Sequence, residues 1–116
     1  MGNGWSNYVC KSVGFIVEFQ SDFDLKKAAN AYVNPLTATA MFDYAQKHGA
    51  KTIVLMAASS ALAKMMIRLA HQNGIETLNI VRKDEHIVDL KSNYGANFVF
   101  NSDSSSFWSE IEVAIK

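Results

Sequence analysis

KTIVLMAASSALAKMMIRLA, residues 51–70, is the stretch that decides the fold of this 116-residue chain. It begins with an apolar run at 53–56, passes through small residues at 57–61 and continues from Leu62 with apolar side chains at helical spacing. That order predicts a strand, a tight turn and a helix, the unit that opens a dinucleotide-binding βαβ fold. Small side chains at the turn let a phosphate approach backbone N–H groups at the positive end of the helix dipole.

Further strands are predicted on both sides of this unit. Two short strands are expected between residues 5 and 19, and the later apolar runs predict strands over 51–56, 77–81 and 97–100. Helical patterns separate the last three runs. Alternation of strand and helix predicts a parallel sheet with right-handed crossovers, so the expected fold class is α/β.

The expected helices are marked by caps and glycines. They cover residues 25–32, 35–48, 60–73, 84–94 and 107–115, and glycines 49, 74 and 95 follow three of them. Asn34 is expected to cap the helix that starts at Pro35, and Asp84 to cap the fourth helix. The last helix is expected to bury Phe107 or Trp108 together with Ile111 and Ile115.

Composition excludes several classes of function. Eleven basic and eleven acidic side chains cancel and form no block, so we expect no nucleic-acid partner and no anionic membrane surface. No apolar run approaches the ~18 residues of a membrane span, and an intracellular, cytoplasmic location is the default, with mitochondria or another organelle as alternatives. Cys10 is the only cysteine, and the three histidines lie far apart, so no metal site is expected.

Four motifs in order resemble one protein family. They are VNPLTA at 33–38, AASSALAKMMIRLA at 57–70, GIETLNIVRKDE at 74–85 and YGANFVFNSD at 94–103. Together they are similar to the medium-chain dehydrogenase/reductase superfamily, and most of all to its quinone oxidoreductase and 2-enoyl thioester reductase branch, often labelled zinc-binding dehydrogenase. The opening GNGWSNYV, at 2–9, is similar to the segment by which the family's catalytic domain returns towards the cofactor domain.

This resemblance implies a domain organisation. Residues 21–116 are expected to form part of a Rossmann nucleotide-binding domain, a three-layer half domain with a short parallel sheet of about three strands. Residues 1–20 are expected to be a remnant of strands from the end of a GroES-like catalytic domain. Because a sheet edge left open can pair with another chain, the N-terminal strands, a protein partner or a second copy in a homodimer is expected to cover it.

The resemblance also implies cofactor-binding residues at the turn after the first central strand: Ser59, Ser60, Ala61 and Leu62. Family members usually have glycine, or sometimes alanine, where Ala57 stands, and glycine where Ala63 stands. Ala63 adds only one methyl group to the helix–strand contact. Ser60 offers a hydroxyl to a phosphate. The alternative is that Ser59 and Ser60 only cap the helix.

A basic side chain after the second central strand indicates the cofactor. At this distance from the turn an acidic residue would bind the ribose of NAD, whereas Arg82 suits the 2′-phosphate of NADPH. The alternative is that Arg82 and Lys83 are solvated loop residues. Asn34 and Thr37 match the NP-x-TA segment that lies near the nicotinamide in resembling enzymes, although the predicted cap explains Asn34 without a cofactor.

The sequence indicates no catalytic residue. It contains no recognisable nucleophile and base arrangement, paired carboxylates or metal cluster, and hydride transfer is the chemistry of the cofactor itself. The resemblance therefore implies the nucleotide-binding portion of an NADPH-dependent oxidoreductase, acting on quinones or enoyl thioesters. The alternative is a non-catalytic structural subunit or degenerate remnant of such an enzyme that packs on a partner protein.

Overall fold

The computed structural model describes residues 6–115 of the chain. A 3-10 helix at Val13–Phe15 precedes five α-helices and three strands. In chain order these are α1 (Leu25–Ala28), α2 (Val33–Lys47), β1 (Thr52–Leu55), α3 (Ala61–Gln72), β2 (Glu76–Val81), α4 (Asp84–Tyr94), β3 (Phe98–Asn101) and α5 (Phe107–Ala114).

The three strands form one parallel sheet in the order β1-β2-β3. Leu78 lies opposite Val54 on one side and Phe98 on the other, so β2 is the central strand. Both crossovers run in the same direction across the sheet, and right-handed connections therefore place α3 and α4 on the same face. This arrangement confirms the predicted α/β fold with a short parallel sheet.

The main core lies between that face and its helices. Met66 and Ile67 of α3 and Leu90 of α4 are almost fully buried, and α2 adds Ala38 and Phe42 where it packs against α3. Burial of a large aliphatic side chain stabilises the fold by about 1.5–3 kcal/mol. The buried apolar side of α3 therefore holds the sheet and the helical layer together.

The opposite face of the sheet is only partly covered. Phe98 and Phe100 alternate with Val99 along β3, and α5 packs against β3 on their side. On β1 no such helix is present among residues 6–115, and Val54 remains 60% exposed. Met56, just beyond the strand, is 70% exposed. One face of the sheet is thus packed and the other is open beside β1.

A buried amide joins two of the strands. Asn79 on β2 is fully buried, and its Nδ2 donates to the Phe98 carbonyl of β3 at 2.9 Å and to Thr77 Oγ1 at 2.8 Å. The Oδ1 atom of Asn79 has no partner in the described part of the chain. An unpaired buried acceptor costs about 1–3 kcal/mol, so the amide contributes less to stability than these two hydrogen bonds suggest.

The N-terminal prediction was wrong over the described residues. Residues 6–20 contain no strand, and the Val13–Phe15 turn is closed by the Ile16 N–H donating to the Val13 carbonyl at 3.0 Å. A strand needs a neighbouring strand for its backbone hydrogen bonds, whereas a 3-10 turn forms its backbone hydrogen bond within the turn. Residues 1–5, where the first strand was expected to begin, lie outside the described residues.

Several predicted helix ends also differ from the structure. Helix α1 is a single turn, and α2 begins at Val33, so Asn34 lies inside its first turn and Tyr32 holds the cap position. Asp84 is likewise the first residue of α4, after Lys83. Helix starts shift because prolines and acidic residues are favoured throughout the first turn, where N–H groups lack intrahelical partners.

The last helix is less buried than expected. Phe107 and Ile111 are half-buried, while Trp108 is 74% and Ile115 65% exposed. Because α5 packs mainly against β3, which is an edge strand, only one narrow stripe of it meets the sheet. The predicted burial of Ile115 was therefore wrong, and of the two aromatic candidates Phe107 is the one that packs.

Candidate functional site

A cavity of about 640 Å³ opens at the carboxyl ends of all three strands. In open parallel sheets this is the place where ligands bind, because the loops leaving neighbouring strands meet there. Its lining residues come from the last two positions of β2, from the loops after each strand and from the start of α4: Met56, Ala57, Ser59, Ile80, Val81, Arg82, Lys83, His86, Ser102 and Asp103. A larger hollow of about 730 Å³ lies along β3 and α5, not beyond the carboxyl ends of the strands. Lys91 and Glu110 are the charged residues among its described lining.

The turn after β1 has an unusual backbone. Ala57 has φ of +48°, and it is the only residue besides glycine with positive φ in the part of the chain that the structure describes. The Ser60 N–H donates to the Ala57 carbonyl at 2.9 Å, and the Ala58 N–H donates to the Ile80 carbonyl at 3.0 Å. The chain therefore turns sharply in a backbone conformation that favours glycine, and it does so with an alanine.

The serines of this turn have different roles. Ser60 Oγ accepts a hydrogen bond from the Ala63 N–H at 3.3 Å, which makes Ser60 the N-cap of α3. Ser59 is half-buried and lines the cavity. Ala61 and Leu62 form the start of α3 and do not line the cavity. Ser59 is thus the predicted turn residue that the structure brings to the cavity wall.

The positive charge of the cavity lies after β2. Arg82 is exposed, lines the cavity and makes no ion pair within residues 6–115. Lys83 Nζ and His86 Nε2 lie 3.5 Å and 4.0 Å from Glu85 Oε1. The guanidinium of Arg82 consequently keeps all its donors available to an anion.

Sequence reasoning missed the contribution of the loop after β3. The Ser102 N–H donates to the Val81 carbonyl at 2.8 Å, which brings this loop beside the end of β2. Asn101 Nδ2 donates to Asp84 Oδ1 at 2.7 Å, and the Asp103 N–H donates to Asn101 Oδ1 at 2.9 Å. The signal was present in the sequence, because these residues directly follow the third predicted strand.

Two of the predicted site residues lie elsewhere. Asn34 and Thr37 are on α2 and do not line the cavity. Thr37 Oγ1 donates to the Val33 carbonyl of its own helix at 2.7 Å, while Asn34 is half-buried. The described residues thus bring Ser59 and Arg82 to one cavity and leave Asn34 and Thr37 outside it.

The clearest electrostatic perturbation lies between α3 and α4 and not at the cavity. Lys64 Nζ is 2.7 Å from Asp89 Oδ2. This hydrogen bond raises the pKa of Lys64 above its ordinary value and is the main cause that lowers the pKa of Asp89. The ring of Tyr94 adds cation–π contacts with Lys64 and with Arg68, at 4.8 Å and 4.6 Å. The cluster joins two helices, which is a structural role.

Other kinds of site find no support in the described residues. Between residues 6 and 115 no group of three His, Cys, Asp or Glu side chains could hold a metal ion. No helix described by the structure is long and apolar enough to cross a membrane. The cavity can bind a small anionic ligand. The guanidinium of Arg82, the small side chains of the turn after β1 and the N-terminus of α4 meet at its wall.

Comparison with known proteins identifies similar chains. Over 110 residues the chain is 32% identical to the mitochondrial enoyl-[acyl-carrier-protein] reductase of Eremothecium gossypii, an alignment that covers 88% of this chain and 29% of the relative. It is also 32% identical to the NADPH quinone oxidoreductase of Kluyveromyces marxianus, over 87% of this chain and 28% of the relative. No protein-family model matches.

A solved structure supports the same relationship. A crystal structure described as an NADPH:quinone reductase of Mesorhizobium loti superposes with a TM-score of 0.78 and 35% sequence identity. The match covers 84% of this chain and 28% of the crystallised one. The chain therefore spans between a quarter and a third of the length of the proteins that it matches.

Proposed function

The chain belongs to the medium-chain dehydrogenase/reductase superfamily, and from this membership we propose that it is the nucleotide-binding portion of an NADPH-dependent oxidoreductase. The acceptor classes that we propose are quinones and enoyl thioesters. They come from the relatives, which are enoyl-[acyl-carrier-protein] reductases and quinone oxidoreductases. Because several relatives are mitochondrial, the proposal includes mitochondria beside the cytosol as its location, to be distinguished by cell fractionation.

Arg82 is the single observation that supports NADPH most directly. It stands at the end of the central strand, in the cavity, with no carboxylate to pair with it among residues 6–115. A guanidinium can form two parallel hydrogen bonds with a phosphate, whereas NADH offers only ribose hydroxyls at that place. Arg82 would therefore bind the 2′-phosphate.

The cavity suits the rest of a dinucleotide. The Ala57 side chain ends at Cβ and is exposed, so the backbone of the turn is open to a pyrophosphate. The N-terminus of α3, capped by Ser60, follows directly after the lining residue Ser59 and adds a partial positive charge near this wall. When bound, NADPH supplies the hydride, and the proposed task of these residues is to bind and orient it. No described residue is assigned a catalytic role.

Direct titration tests the proposal. The purified chain is titrated with NADPH and with NADH while nicotinamide fluorescence is recorded, and Arg82→Gln is compared with the wild type. A hydrogen bond to a charged group contributes about 1.5–3 kcal/mol, so the variant is expected to bind NADPH roughly 10- to 100-fold more weakly and NADH unchanged.

Arg68→Gln is the matched control. Arg68 is also exposed, but it lies on α3 against the ring of Tyr94 and does not line the cavity. The control should bind both cofactors as the wild type does. Absence of NADPH binding by the wild type at millimolar concentration, or equal binding by Arg82→Gln, would contradict the proposal.

A further inference from the structure

His86 shares the cavity with Arg82, although no sequence motif pointed to it. It is the third residue of α4 and follows Arg82 by four positions. Its side chain is 34% exposed and lines the same cavity as Arg82 and Lys83. The first turn of α4 therefore presents an imidazole beside the guanidinium at the end of β2.

The imidazole remains available to a ligand. The nearest carboxylate oxygen, Glu85 Oε1, is 4.0 Å from His86 Nε2, which is beyond hydrogen-bond distance. No other side-chain partner of the His86 ring is found in the part of the chain that the structure describes. Glu85 itself is 67% exposed and does not line the cavity, so it neither closes the site nor satisfies the ring.

The charges of the cavity are unevenly distributed. The cationic side chains Arg82 and Lys83 lie on the β2 side, beside the imidazole of His86, while Asp103, after β3, is the only carboxylate among the described lining residues. An anionic group would consequently settle on the β2 side, away from Asp103. A phosphate monoester has three terminal oxygens, and a guanidinium engages two of them in its usual paired geometry. One oxygen remains for another donor.

We propose that His86 is a second contact to the 2′-phosphate and, together with Arg82, determines the preference for NADPH over NADH. This inference rests on the proposed function. His86 is expected to donate a ring N–H to the phosphate oxygen that Arg82 leaves free. Glu85 weakens the site, because its carboxylate lies 3.5 Å from Lys83 Nζ and 4.0 Å from His86 Nε2 and competes with the phosphate for both groups.

The test compares two cofactors with one variant. His86→Ala is expected to bind NADPH about five- to tenfold more weakly and NADH within twofold of the wild type. Adenosine 2′,5′-bisphosphate and AMP, used as competitors, should show the same contrast, which assigns the loss to the phosphate and not to the nicotinamide. His48→Ala is the matched control, since His48 stacks on Tyr44 at the end of α2, away from the cavity.

A second variant keeps the test decisive if His86→Ala is poorly folded. Glu85→Gln removes the competing negative charge at an exposed position, so it should bind NADPH about two- to threefold more tightly and leave NADH unchanged. Equal losses for both cofactors in His86→Ala, or no effect of either variant, would overturn the role of His86. If NADPH binding still depends on Arg82 in that case, the proposed function stands; a wild type that binds neither cofactor overturns both.

Discussion

Replacing Ala57 by glycine should stabilise this protein. Ala57 adopts a left-handed backbone with φ of +48° at the turn after β1. For a residue with a Cβ atom this conformation costs about 1–2 kcal/mol, because the Cβ approaches the following carbonyl. Glycine avoids that cost, and the Ala57 side chain is exposed, so removing its methyl group leaves no cavity.

The net gain is smaller than the strain that is relieved. Glycine gives the unfolded chain more conformational freedom, which lowers the free energy of unfolding by about 0.4–1 kcal/mol. The free energy of unfolding should therefore rise by about 0.5–1 kcal/mol in Ala57→Gly. With about 2.1 cal/mol/K of unfolding entropy per residue, Tm should rise by roughly 2–4 °C.

Ala40→Gly provides a control with the same chemical change and the opposite expected sign. Ala40 is exposed in the middle of α2, where glycine costs about 1 kcal/mol relative to alanine. Urea unfolding of both variants, followed by circular dichroism, measures the two effects side by side. If Ala57→Gly loses as much stability as Ala40→Gly, the left-handed conformation of Ala57 is refuted.

Two further predictions concern the packing of α4. Gly95 ends α4 with φ of +76°, and a Cβ placed there would overlap the ring of His71. At Gly74, φ is +67° but the space for a Cβ is open. Gly95→Ala should therefore destabilise the protein by clearly more than Gly74→Ala. Thermal unfolding compares the two, and equal losses would exclude the clash. Asp89→Asn should remove the stabilisation that comes from the ion pair with Lys64. Because Lys64 lowers the pKa of Asp89, this stabilisation is fully present above the ordinary carboxyl pKa of about 3.9 and is lost as the pH falls through the lowered pKa. The urea midpoints of wild type and variant should thus differ near pH 7 and converge as the pH falls below the ordinary carboxyl pKa, and an undiminished gap at low pH would contradict the assignment.

The central part of the fold was predictable because its signals are local. The apolar run before Ala57, the helical spacing from Leu62 and the glycine at 74 each follow from short-range sterics and burial, and the structure confirms β1, α3 and β2 at these places. The segment at 6–20 was misjudged because alternating apolar residues indicate a strand only where a partner strand exists.

The candidate site was predictable in part for the same reason. Arg82 was found because it directly follows an apolar run, and the structure places it at the cavity. His86 and Asp103 were not identified, although both closely follow predicted strands, because no local pattern marks their side chains as facing the cavity. Ser60 was left with two interpretations, and the hydrogen bond from the Ala63 N–H shows that it caps α3. Whether it also contacts a phosphate stays a prediction.

The buried amide of Asn79 has a consequence for strand alignment. Its bond to the Phe98 carbonyl exists in one pairing of β2 with β3, because a slip of one residue moves that carbonyl by roughly 3.3 Å and turns neighbouring side chains to the opposite face. A misaligned sheet would leave the amide donors unsatisfied in the interior as well as its oxygen. Asn79 thus favours the observed register of β2 with β3. In this register Ser102 lies level with the end of β2.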